Sequence, residues 1–347
     1  MNHKSQPLVS VVTPVYNAEP YLAECIESVL AQTHENWEYV IVNNCSTDRS
    51  LEIAQRYAQQ DARIRIHNNE EFLKQFQNWN HAMRQISPAS KYCKVVHADD
   101  WLFPECIARM VEVAEAYPLV GIVGAYRLDE DRVGLDGLPY LSTVVPGREL
   151  CRLILLGGPW VFGSPTSLLI RSDIVRSREA FYDESILHAD TEVCFDILQD
   201  WDFGFVHQVL TFTRRHNESL TSFTNSFNTR RLANFMILVR YGPTYLGSEY
   251  EERLKQAEES YYRFLARSVF GLKGREFWNF HGNELRKLGH PLKITRLIKA
   301  LFLELWDFRE ATRQVRQAIR QKREQKTPAE GASKFQAVLS SIYDRES

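Results

Sequence analysis

The chain has 347 residues, 44% of them hydrophobic and 25% charged, with a net charge of −2. That balance fits a soluble protein with a sizeable core and excludes disordered and fibrous classes. The length suits about two domains, or one α/β domain with an elaborated carboxy terminus. A polar start and the short run over 8–15, interrupted by Pro14, give no expectation of a secretory leader. The longest charge-free run, 153–170, is broken by Gly and Pro and is not expected to span a membrane. Cysteines at 25, 45, 93, 106, 151 and 194 lack zinc spacing, which fits reduced thiols in a cytoplasmic protein.

In chain order, 8–13 reads as a buried strand that stops at Pro14. Leu22, Ile26, Val29 and Leu30 share one face of a helix over 19–32, with Asn17 as its cap and Pro20 in its first turn. A second strand over 39–42 runs into the polar turn 43–48, and a helix over 50–59 follows. A strand over 63–67, a helix over 73–86 and a strand over 92–96 come next; the last stops at His97-Ala98-Asp99-Asp100. Pro104 opens a helix to Ala116, and 120–125 is another strand. This alternation predicts an α/β fold with a mainly parallel sheet flanked by helices, which binds ligands just past its strand ends. Neither G-x-G-x-x-G nor G-x-x-x-x-G-K-[ST] occurs.

Gly and Pro make 127–171 irregular, as expected of loops lining a site. A helix over 192–198 follows the turn His188-Ala189-Asp190, and strands over 203–206 and 209–213 end at Arg214-Arg215-His216. Beyond Phe227 the pattern is helical, over 227–240, 249–270 and 292–323, with looser structure over 271–291. The expected boundary lies near 225, with a helical region over 226–347.

Asp99-Asp100 is the sharpest feature, since a buried strand delivers two carboxylates to its end. Adjacent side chains diverge, so one can hold Mg²⁺ or Mn²⁺ while its neighbour bonds a sugar hydroxyl. The competing reading is a pair of acids at a helix start.

The ordered set Val9-Ser10-Val11-Val12-Thr13-Pro14-Val15-Tyr16-Asn17, Ile26-Glu27-Ser28-Val29-Leu30-Ala31-Gln32-Thr33, Glu38-Tyr39-Val40-Ile41-Val42, Ser46-Thr47-Asp48 and Asp99-Asp100 resembles inverting glycosyltransferases of family 2, which have the GT-A fold. The resemblance covers 8–125 and implies a nucleotide-binding half there, with an acceptor-side, catalytic half over 126–225. It also implies transfer from a nucleotide-diphosphate sugar, UDP or dTDP preferred, to a glycan or lipid-linked hydroxyl acceptor in cell-surface polysaccharide synthesis. Thr13, Pro14, Tyr16 and Asn17 are then the loop around the base. Asn44 stands where such enzymes commonly carry a base-binding Asp, and Asn43 also replaces an Asp; an amide can still read a pyrimidine edge.

By the same resemblance Asp99 is the ribose- or phosphate-side acid, and Asp100 the direct ligand of Mg²⁺ or Mn²⁺. His97 is an outer-sphere group or a satisfied core histidine. Inversion needs a base opposite the leaving group, and Asp190 is the candidate, with Glu192 its competitor and Asp183 and Glu184 nearby. Asp190 can also cap the helix. His216, with Arg214 or Arg215, is placed to contact the diphosphate. Trp101 and Trp160 either stack on sugars or pack internally. The family's processive Gln-x-x-Arg-Trp motif is missing, which implies transfer of single sugars. A nucleotidylyltransferase is a weaker alternative because no Gly-rich basic loop follows the first strand. A catalytically silent carbohydrate-binding or scaffold protein is the other.

Charge is unevenly spread. Residues 286–326 carry twelve Lys or Arg against four acids. Ile294, Leu297, Ile298, Leu301, Phe302 and Leu305 form an apolar stripe beside Lys293, Arg296 and Lys299. Such a helix packs on the body, self-associates, or makes peripheral contact with an anionic membrane at its cytoplasmic face. No nucleic-acid partner is expected.

Overall fold

A computed structural model describes residues 6–214 and 226–324. The chain divides into two compact units, Met1–Leu254 and Lys255–Ser347.

In the first unit, β-branched and aromatic residues make the runs that become β1 (Val9–Val15), β2 (Trp37–Asn43), β3 (Ile64–Asn68) and β4 (Tyr92–Val95). They pair in parallel in the order β3-β2-β1-β4. Parallel neighbours need crossovers, supplied by α1 (Leu22–Leu30), α2 (Ser50–Ala58) and α3 (Gln75–Met83). β1 is buried along its whole length, as a central parallel strand must be. Leu22, Cys25, Ile26 and Val29 of α1 join the core beneath it, each large aliphatic side chain contributing about 1.5–3 kcal/mol on burial.

The sheet then becomes mixed. β9 (Leu168–Arg171) lies antiparallel between β4 and β6 (Val120–Asp129), and β10 (Asp202–Thr213) pairs in parallel with β6. β5 (Trp101–Leu102) closes the path against β10, while β7 (Arg132–Gly134) and β8 (Val144–Val145) add short antiparallel pairs. Helices α4 (Cys106–Ala116), α5 (Gly147–Leu155), α6 (Ser172–Arg176) and α7 (Ala189–Ile197) flank the sheet. The α/β class with a largely parallel core is therefore as expected, with a helical extension after it.

Several local expectations change. The segment read as loops contains α5 and β9. Gly147 starts α5 so close to the Trp201 and Leu198 carbonyls that a Cβ there would collide with both. The two strands expected over 203–213 are one, β10, whose register shifts at Val206 and Val209 absorb His207 and Gln208. Asn17 does not cap α1, which begins after Tyr21; it adopts φ 49°, a left-handed conformation that Asn tolerates. α8 (Thr229–Leu246) belongs to the first unit and packs on α5 and α7.

α9 (Tyr250–Phe270) crosses from the first unit into the second. The second unit also holds α10 (Arg275–Lys287) and α11 (Ile294–Glu324). α10 replaces the looser structure expected there, burying Phe277, His281 and Leu285 at steps of four. All six cysteines are free thiols. Among the described residues no helix is long and apolar enough to cross a membrane.

Candidate active site

The end of β4 carries the acids. Val96 still bonds to Val12 of β1, and the chain then turns, Asp100 N–H donating to the His97 carbonyl at 3.0 Å. Pairing of Trp101 and Leu102 with Phe212 and Thr211 returns the backbone to the sheet. The turn is thus pinned between β4 and the end of β10. Asp100 is buried, and its carboxylate accepts from the Arg214 N–H at 3.1 Å. Burial, then the neighbouring charge of Asp99, pushes its pKa up to about 7. Two acids held together in such a place call for a cation.

A ring nitrogen of His97 and one carboxylate oxygen each from Asp99 and Asp100 lie within 4.8 Å of one another. His97 is fixed from two sides, its ring 4.5 Å from that of Trp79 and its backbone N–H donating to Thr166 Oγ1 at 3.1 Å. Behind Thr166 stands Lys94, buried on β4, whose ammonium donates to the Thr166 and Leu168 carbonyls. This lysine joins β4 to the start of β9. Burial holds it below the ordinary lysine value.

Asp190 lies in the first turn of α7, one step inside the helix that was expected to follow it. Burial raises its carboxyl above the usual carboxylate range, and His97 acts on it in the opposite direction. Asp99 and Asp190 both act on the His97 ring, which burial holds below its ordinary value. The structure therefore brings Asp190 within electrostatic reach of His97, the histidine of the acidic turn. Glu192, two residues on, turns to α8 and binds the Tyr241 hydroxyl and Arg240. Asp183 is tied to Ser185, and Glu184 to Asn80.

On the other side of β1, two turns are laced together. Asn17 Oδ1 accepts from Thr47 N–H at 2.8 Å, Ser46 Oγ from Asn17 N–H at 3.1 Å, and Asp48 Oδ2 from Glu19 N–H at 3.0 Å. Thr13 faces inward, its hydroxyl 2.9 Å from that of Tyr39, and Pro14 is buried beside it. Tyr16 is half exposed and meets Phe72 edge to face at 4.9 Å. Asn44 is buried with its amide engaged: Nδ2 donates to the Leu73 carbonyl, and Oδ1 accepts from Leu73 N–H and Asn69 Nδ2, all at 2.9 Å. Asn43 links Asn68 to the Ser46 N–H.

Arg214 pairs with Glu24 at 2.6 Å and lies over the Tyr21 ring. His216 and Arg215 lie outside the described residues. Trp101 stacks on Phe212 at 4.9 Å, and Trp160 meets Phe162 edge to face.

Residues 10–178, spanning β1 to α6 and both turns, match the family described as Glycosyl transferase family 2. The chain thus carries a glycosyltransferase family 2 domain. The uncharacterized glycosyltransferase EpsJ of Bacillus subtilis (strain 168) is 41% identical over 130 residues, 36% of each chain. Glycosyltransferase GlyG of Streptococcus pneumoniae is 31% identical over 201 residues, 52% of this chain and 64% of that one. The chain thus spans less than two thirds of either relative. Among solved structures, S. aureus TarS 1–349 in complex with UDP-GlcNAc aligns over 81% of this glycosyltransferase and 80% of that chain, at 17% identity and a TM-score of 0.59. This likeness concerns the fold.

The residues at the acidic turn of this glycosyltransferase suit a divalent ion. They offer two carboxylates and an imidazole, and His97 Nε2 is buried without a hydrogen-bond partner. Two residues escaped the sequence reading. Phe72 sits in a polar stretch, and only its exposure beside Tyr16 marks it. Lys94 looked like one polar interruption in a strand, although a lysine within a buried run was itself a signal that it served an internal acceptor.

Proposed function

We propose that this glycosyltransferase moves one sugar from a nucleotide-diphosphate donor, UDP or dTDP, to a hydroxyl of a glycan or lipid-linked acceptor, with inversion. The observation that carries this reading is the acidic turn, where donor atoms of His97, Asp99 and Asp100 lie within 4.8 Å of one another, with Asp190, from a distant part of the chain, in electrostatic reach of His97. Asp99 and Asp100 would hold Mg²⁺ or Mn²⁺, which supplies positive charge to the diphosphate leaving group.

The residues divide the remaining work. Tyr16 and Phe72 offer aromatic surface to the base, on a loop that the Asn17, Ser46, Thr47 and Asp48 contacts hold in shape. Asp190 receives the proton of the acceptor hydroxyl as its oxygen bonds to the anomeric carbon. The bond from that carbon to the diphosphate oxygen breaks, and its electron pair leaves with the nucleoside diphosphate. Burial makes the Asp190 carboxylate a better base than a solvated one. The UDP-GlcNAc in the TarS structure supports a uridine donor. We further place the protein on the cytoplasmic side, with α11 lying against an anionic membrane that presents the acceptor.

The test is Asp190→Asn. Turnover should fall about 100-fold or more while donor affinity, measured by calorimetry, stays put. Glu192→Gln should leave turnover nearly intact, because that carboxylate faces Tyr241. The reverse pattern would move the base to Glu192.

A further inference from the structure

We infer that His97 is a third ligand of the divalent ion and biases the site toward Mn²⁺ over Mg²⁺. This rests on the reading that an ion sits at Asp99 and Asp100.

Geometry and chemistry agree on it. Ligands on opposite sides of such an ion stand about 4 Å apart. The His97 ring nitrogen and the two carboxylate oxygens, within 4.8 Å of one another, need only small rotations to meet one ion. Nε2 of His97 is shielded from solvent yet has no hydrogen-bond partner, so no competing bond holds the ring through that atom. The ring is nevertheless positioned: Trp79 packs against it, and the residue's backbone N–H donates to Thr166 Oγ1, which Lys94 secures from behind through the Thr166 carbonyl. An imidazole placed this way beside two acids is a pre-arranged ligand.

Its consequence is selectivity. Mg²⁺ is hard, prefers oxygen and gives up its waters reluctantly. Nitrogen donors favour the first-row transition ions, and affinity rises along that series from Mn²⁺. A site with one imidazole and two carboxylates therefore holds Mn²⁺ more tightly than an all-oxygen site of equal size does, at the expense of its preference for Mg²⁺.

The experiment uses the full chain, with and without UDP. Free Mn²⁺ is followed by its electron paramagnetic resonance amplitude, Mg²⁺ competes, and pulsed measurements on bound Mn²⁺ look for coupling to a nitrogen-14 nucleus. The wild-type protein should show that coupling. His97→Phe keeps a ring against Trp79 but no donor atom; it should lose the coupling and bind Mn²⁺ about tenfold more weakly. His97→Asp should recover affinity while shifting the preference toward Mg²⁺. Bound Mn²⁺ without nitrogen coupling, and with equal affinity in His97→Phe, overturns the role of His97 and leaves the ion at the two acids standing. No Mn²⁺ binding by the wild type, with or without UDP, overturns both readings. The wild-type spectrum decides even if a variant fails to fold.

Discussion

At position 44 an amide does what a carboxylate cannot. Asn44 offers a donor to the Leu73 carbonyl and an acceptor to its N–H, so one side chain mimics a strand partner. Asp in its place would keep the acceptor and set a negative charge against the Leu73 carbonyl. Asn44→Asp should therefore cost about 1–3 kcal/mol of stability, read from urea unfolding, because a buried carbonyl loses its donor. Nucleotide affinity should weaken as well, since Leu73 neighbours Phe72, which meets Tyr16. Unchanged stability with weaker nucleotide binding would instead make Asn44 a direct reader of the base. The sequence exposed this residue as a departure from a pattern; its partner Leu73, in a distant polar stretch, had no periodic signal to announce it.

The elements show a similar division between what local pattern reveals and what pairing decides. β1, β2 and β4 are mostly apolar runs ending in polar turns, so their places and the acids at the end of β4 were legible. β9 and α5 were hidden by Gly157, Gly158 and Pro159, which punctuate the segment without unfolding its neighbours. The position of Asp190 was legible as a polar residue at a helix start. That Glu192 turns away to Tyr241 was not, because it depends on α8 packing against α7.

Pairing between elements also yields a pH dependence. His67 at the end of β3 and His81 on α3 place their Nε2 atoms 2.9 Å apart, so one donates and the other accepts. Burial, then the charges of His67 and Arg84, holds His81 below its ordinary value of 6.5. The unfolded chain then binds more protons than the folded one as pH falls through about 6.5, so stability must drop there and level off once both states are protonated. The melting temperature should fall between pH 7.5 and 5.5 and do so less steeply in His81→Gln. Equal slopes in the two proteins would contradict the assignment.

At the scale of the whole molecule, α11 sets the remaining question. Ile294, Ile298, Phe302, Leu305 and Trp306 are all exposed, at steps of three and four or adjoining them, while Ala300 is buried within its own unit. Lys299, Arg309 and Arg313 are exposed on the same helix, and Lys293 is exposed just before it. Water disfavours so continuous an apolar stripe, and the cations beside it select an anionic occupant over a neutral one. Flotation should therefore recover the protein with vesicles containing phosphatidylglycerol, not with phosphatidylcholine alone, and salt should release it. Each cation near such a surface contributes about 1 kcal/mol, so Lys299→Gln with Arg309→Gln should weaken binding about 30-fold. Phe302→Ser with Trp306→Ser should weaken it on the apolar side. Failure to float at low salt, joined to a dimer in sedimentation that the same serine pair dissolves, would give the stripe to a second copy of the chain and refute the membrane contact.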